Sequence, residues 1–186
     1  MRTRAKQGAG AEAGMSLIEL MISMVILAVG LSALATLFFA ASATNSRNQR
    51  DTTSVMVSKM VLEAAMSQHI NSGVPTTITD CQGNVWTIAV ANGPAPNGSG
   101  ALLDGNPGSL TYGQIDRLNQ TYGAVPAGYA MKYMDCNGNQ YDVRWNSMTV
   151  TAGAARMITV STQLQPNQKE GLTFTRPTSL RGIAGP

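Results

Sequence analysis

Residues 20–39, LMISMVILAVGLSALATLFF, run for twenty positions without a charge or a proline. At ~1.5 Å rise per residue such a run makes a helix about 30 Å long, the thickness of a bilayer hydrocarbon core. The interruptions are mild. Ser23, Ser32 and Thr36 can each bond back to a carbonyl one turn earlier, and Gly30 is tolerated in a membrane helix. Arg2, Arg4 and Lys6 precede the run and no comparable basic cluster follows it directly, which places the N-terminus in the cytoplasm. Arg47 and Arg50 oppose that orientation only weakly, so everything after about Ala41 is expected to be exported.

Outside this segment charge is scarce. Only 12% of the 186 residues are charged, and the formal net charge is +3. Disordered chains need low hydrophobicity with high net charge, and nucleic-acid binders need clustered basic residues, so both classes are disfavoured. Two of the three net positive charges sit in the first fourteen residues, which leaves the rest of the chain nearly neutral. One histidine, His69, and two cysteines, Cys81 and Cys136, do not make a close-spaced zinc set. No metal or other cofactor is expected.

Three readings of the N-terminus follow. A cleavable secretory signal would use Ala41-Ser42-Ala43 as its cleavage site, but the apolar run exceeds the usual length of such signals. A plain signal anchor fits the length but leaves Glu19 unexplained. An acid at the entry of a membrane helix costs roughly 2–3 kcal/mol on insertion scales, so Glu19 is a functional candidate.

The third reading rests on Gly14-Met15-Ser16-Leu17-Ile18-Glu19-Leu20, after a short basic leader and before an uncharged helix. This stretch resembles the type IV prepilin signal, with Met15 where most members have Phe. Residues 25–31 are also similar to the start of minor pilins described as type IV pilus modification protein V. The resemblance implies a prepilin peptidase that cuts between Gly14 and Met15 and methylates the new amine of Met15. It implies that Glu19 then meets that amine, or a neighbouring subunit's, and serves assembly. It also implies an α+β pilin-like fold, a long N-terminal helix packed on a C-terminal antiparallel β-sheet. Its segments would be a leader at 1–14, a transmembrane half-helix at 15–43, an amphipathic half-helix at 44–71 and an extracytoplasmic β-rich domain at 72–186. The partners implied are the peptidase, other pilin subunits, the pilus assembly machinery and the membrane. Such a protein waits in the inner membrane and ends in an extracellular pilus or the periplasm.

The residues beyond the membrane run carry signals of their own. Val57, Met60, Val61, Ala64 and Ala65 recur at three and four residues, as on one face of a helix, and no Pro or Gly occurs between Leu31 and Ser72. A helix of ~55 residues would be ~80 Å long, so only its later half should pack on one small domain. Then come β signals. Strands are predicted at 74–79 and 85–90 around Asp80-Cys81-Gln82-Gly83-Asn84, and at 129–134 and 141–145 around Asp135-Cys136-Asn137-Gly138-Asn139. The two turns match as D-C-x-G-N-x-[WY], and Asn-Gly predicts a tight hairpin with both central residues at positive φ. Further strands are predicted at 148–151, 157–164 and 172–175, an exposed loop at 92–108, and a short helix at 114–119. Cys81 and Cys136 hold equivalent places before these turns and are a candidate disulfide in an exported domain.

Other chemistry is poorly supported. Asp135-Cys136-Asn137-Gly138-Asn139 resembles the opening of a calcium loop, but its Gly is misplaced for an EF-hand and no bidentate Glu follows. His69 lies near a helix end, where a basic group suits the dipole. Gly-x-Ser-x-Gly, His-Glu-x-x-His and phosphate-loop patterns are absent from the sequence, so a non-enzymatic role is expected. The leading expectation is a structural minor pilin. A pseudopilin of a type II secretion system or a DNA-uptake pilus shares its architecture, and an anchored extracytoplasmic binding domain or enzyme is the rival from another class.

Overall fold

The computed structural model describes residues 16–68, 74–91, 93–151, 155–165 and 176–185. The expected strand at 172–175, together with Gly14, Met15 and His69, lies outside them. Helix α1 covers Leu17–Met66. Among the described residues seven strands follow: β1 Thr76–Thr79, β2 Val85–Ile88, β3 Ser99–Gly100, β4 Ala130–Met134, β5 Gln140–Thr151, β6 Ala155–Leu164 and β7 Thr178–Ala184. The fold is α+β, with the helix on antiparallel sheets as expected.

The chain divides into two compact units, residues 1–46 and 47–186. In the first, every described residue is exposed, and Ser23, Ser32, Thr36 and Thr44 donate to carbonyls three or four residues back. Those bonds satisfy the hydroxyls inside the helix, as an apolar surrounding demands.

The described strands of the second unit form two sheets. β1 and β2 form a hairpin of their own, and β5, β6 and β7 are successive neighbours in the larger sheet. β3 and β4 both pair with β5, β4 along Gln140–Arg144 and β3 at Asn146 and Ser147. On β5, Tyr141, Val143 and Trp145 face the same side as Ile158, Val160 and Thr162 of β6. Helix α1 covers that side. Its buried stripe is Ser54, Val57, Ser58, Val61 and Ala65, spaced by three and four. The Ser58 and Thr162 hydroxyls hydrogen-bond at 2.7 Å, and a Cβ on Gly182 of β7 would fall 2.7 Å from the Met66 sulfur. The helix therefore approaches the sheet closely, and small residues permit it. α1 has no basic residue in its last turn; Arg156 of β6 supplies one, its Nη2 donating to the carbonyls of Ala65 and Gln68.

The opposite side of the same strands is polar and also buried. Asp142, Arg144 and Asn146 of β5 and Thr159 and Ser161 of β6 are all under 9% exposed. Period-two alternation predicts such a face to be wet. Here the segment between β3 and β4 crosses it instead.

Three expectations change. The 92–108 stretch is not wholly an exposed loop: it contains β3, and Gly93 bridges Met148. Residues 114–119 are not helical, because the Asp116 carboxylate accepts the Leu118 and Asn119 amides and folds a turn. The one 3₁₀ turn among the described residues is Tyr122–Ala124. The strands expected at 141–145 and 148–151 are a single β5, since Asn146 and Ser147 keep the ladder going with β3 and β6.

Candidate functional site

Two regions carry the residues singled out by the sequence. The first is the start of α1. Glu19 lies in its first turn and is the only charged residue from 17 to 46. An acid there complements the positive end of the helix dipole. Around it Leu17, Ile18, Leu20, Met21 and Ile22 are exposed, and large apolar side chains continue exposed through Phe39. The helix is long and apolar enough to cross a membrane.

The second region is the pair of matched turns, which the fold sets side by side. Cys81 and Cys136 are bonded, with Cα atoms 5.0 Å apart, and the Cys81 amide donates to the Met134 carbonyl at 3.2 Å. The bond ties the β1–β2 hairpin to the β4–β5 hairpin across 55 residues of sequence. In each turn the Asp does the organising. Asp80 Oδ1 accepts the amides of Gln82 and Asn84, and its Oδ2 accepts Asn84 Nδ2 and Trp86 Nε1. Asp135 repeats this with Asn137, Asn139 and the Tyr141 hydroxyl. The motif D-C-x-G-N-x-[WY] is thus a hydrogen-bonding formula, each lettered position apart from the Cys serving the turn.

The turns are not the two-residue type expected from Asn-Gly. Each is a three-residue loop in which only the glycine, Gly83 (φ 83°) or Gly138 (φ 81°), takes positive φ and donates to the Asp carbonyl. Burial alone would raise the Asp80 carboxyl; the hydrogen bonds from Asn84, Trp86 and Gln82 outweigh it and hold Asp80 down to about 2. At Asp135 the carboxylate oxygens likewise face donors, which is the reverse of what a cation would need. Burial and the neighbouring Asp135 push the Tyr141 hydroxyl up to about 12.

Sequence reading missed the buried charges of the polar face. Asp142 binds the Arg144 guanidinium through Nε and Nη2, and Arg117 Nη1 lies 3.2 Å from the same carboxylate. Desolvation, assisted by Arg144, pulls Arg117 down to about 10 against the opposing pull of Asp142. The only signal for this cluster was an acid and a base two apart on one strand, Asp142 and Arg144, which elsewhere reads as a solvated face.

This architecture defines a class: α+β proteins that begin with an exposed helix long and apolar enough to cross a membrane. The family model described as the prokaryotic N-terminal methylation motif matches residues 10–35, and the chain is type IV prepilin-like. The comparisons with curated proteins and with solved structures gave no match.

Proposed function

We propose that the chain is a minor pilin subunit, cut between Gly14 and Met15 by a prepilin peptidase, methylated on Met15, held in the inner membrane by the first half of α1 and then packed into a type IV pilus through that helix. The observation that carries this reading is the methylation motif at 10–35 lying over the start of an exposed helix in which Glu19 is the only charged residue from 17 to 46. A lone carboxylate in lipid is costly, and a neighbouring ammonium lowers the cost for both groups. Glu19 therefore sets the register between its subunit and an amine on Met15. Residues 1–14 are a discarded leader in this reading, and 47–186 the part displayed outside the membrane. The role is structural.

N-terminal mass spectrometry of protein from membranes tests the processing. The expected product begins with N-methylated Met15. In Gly14→Val the peptidase has no space for the side chain, so uncut protein should accumulate in the membrane. A product beginning at Thr44, or an uncut wild-type chain, would replace this reading with a secreted or plainly anchored domain.

A further inference from the structure

The polar face of the sheet is covered by one excursion of the chain, residues 102–120. It is closed on itself: Asp104 N donates to Gln114 O at 2.8 Å, Asp116 N to Leu102 O at 2.8 Å, and the Leu102 amide to Gln120 Oε1 at 2.8 Å. Its tip is organised by Asp104, which accepts the Asn106 amide and the Thr111 hydroxyl. The strap therefore keeps its own shape without help from the sheet.

What joins it to the sheet is polar. Arg117 donates to Ser161 Oγ at 3.1 Å, to Ser161 O at 2.7 Å and to Asp142 O at 2.9 Å, and pairs with the Asp142 carboxylate. Arg144 Nη1 donates to Gln120 O at 2.5 Å, and Arg181 donates to the Gly113 carbonyl. Ile115 is the only apolar residue of 102–120 that is buried. The groups beneath are Asp142, Arg144, Thr159 and Ser161, all of which water can satisfy, while Asn146 is held by the Asn97 and Ala101 carbonyls just before the strap.

We infer that residues 102–120 are a strap that opens as a unit from the polar face of the sheet while the helix–sheet core stays folded, with Asp142 as its latch. Lifting the strap sacrifices little apolar burial and returns the hydration of the buried ions, so its opening free energy lies far below that of the core. The helix side has the opposite character. Val61, Val143, Trp145, Ile158 and Val160 are fully buried there, and exposing them means unfolding.

Adjacent residues of β6 provide the test, because Val160 (0% exposed) faces the helix while Thr159 and Ser161 (2% each) face the strap. Thr159→Cys, Val160→Cys and Ser161→Cys variants of the full chain in detergent are exposed to a thiol reagent without reductant, leaving the Cys81–Cys136 bond closed. Cysteines at 159 and 161 should label at least about tenfold faster than at 160, with rates nearly independent of urea below the unfolding transition. Asp142→Asn should speed labelling at 159 by a further factor of about ten and leave 160 unchanged, since Arg117 and Arg144 then gain by hydration. Thr159→Cys replaces a partner of Arg181 and Ser161→Cys a partner of Arg117, so the two probes disturb different tethers of the strap and must agree for the strap to open as a unit. Equal rates at all three positions with equal urea dependence would overturn the proposal, and so would Asp142→Asn raising 159 and 160 together.

Discussion

The two halves of helix α1 share a backbone and differ in everything else. From Leu17 to Phe39 every side chain is exposed and most are large and apolar; from Ser54 to Ala65 the buried positions are two serines, two valines and an alanine. The more hydrophobic half is the one that packs on nothing among the described residues. Hydrophobicity specifies the solvent of a helix, whereas close packing on a sheet specifies small side chains of the right shape, even hydroxylic ones. Ser58 illustrates the second point, since its hydroxyl is matched by Thr162 at 2.7 Å and costs the core nothing.

If the first half serves assembly and the second serves folding, Glu19→Ala should separate them most sharply. Removing one partner of a charge pair in lipid costs ~3–5 kcal/mol, because the other is left unpaired. Incorporation into sheared filaments should fall by orders of magnitude while membrane insertion and the urea midpoint of residues 47–186 stay put. Wild-type levels of the variant in the filament fraction would end the assembly role.

Breaking the disulfide should act only on the second region. Cys81→Ser with Cys136→Ser frees a loop of 55 residues, and on chain-entropy grounds unfolding becomes easier by ~4 kcal/mol. Denaturant midpoints measure this, and insertion into membranes should not change.

A single substitution made in both halves tests the contrast more finely. Ser58→Ala leaves Thr162 unpaired in the core and should cost about 1–3 kcal/mol. Ser32→Ala removes only a bond back to the Val29 carbonyl on an exposed turn, and the stability of 47–186 should not respond. Similar losses at the two sites would erase the distinction.

The smallest effect belongs to acid. The folded Asp80 carboxyl sits at about 2, below its ordinary value of 3.8, so its contribution is complete above about pH 4 and is lost as pH falls through about 2. The loss should be about 1–2 kcal/mol. Asp80→Asn should remove that part of the acid dependence while leaving the helix start unaffected, as pH titrations of the unfolding midpoint would show.

The long apolar run, the methylation motif and the twin turns were legible in the sequence because each is a local rule. An uncharged run of twenty residues, an acid five residues after a small residue, and an Asp two and four residues before the amides it accepts all act over one or two turns of chain. The order of strands was less legible. β7 was not anticipated, for Thr178–Ala184 carries Gly182 and Arg181 inside it and pairs with β6 through long-range contacts.

By itself, the sequence determined the uncharged, apolar character of residues 20–39, the place of Glu19 within the matched motif, and the chemistry of each Asp-Cys turn. Only the tertiary structure decided which face of the sheet the helix takes, that Cys81 reaches Cys136, and that the polar face is covered by residues 102–120 instead of water. Those outcomes depend on which distant strands lie side by side. A period-two pattern names two faces, but burial of the polar one follows from where Arg117, 44 residues before its partner Ser161, is carried by the fold.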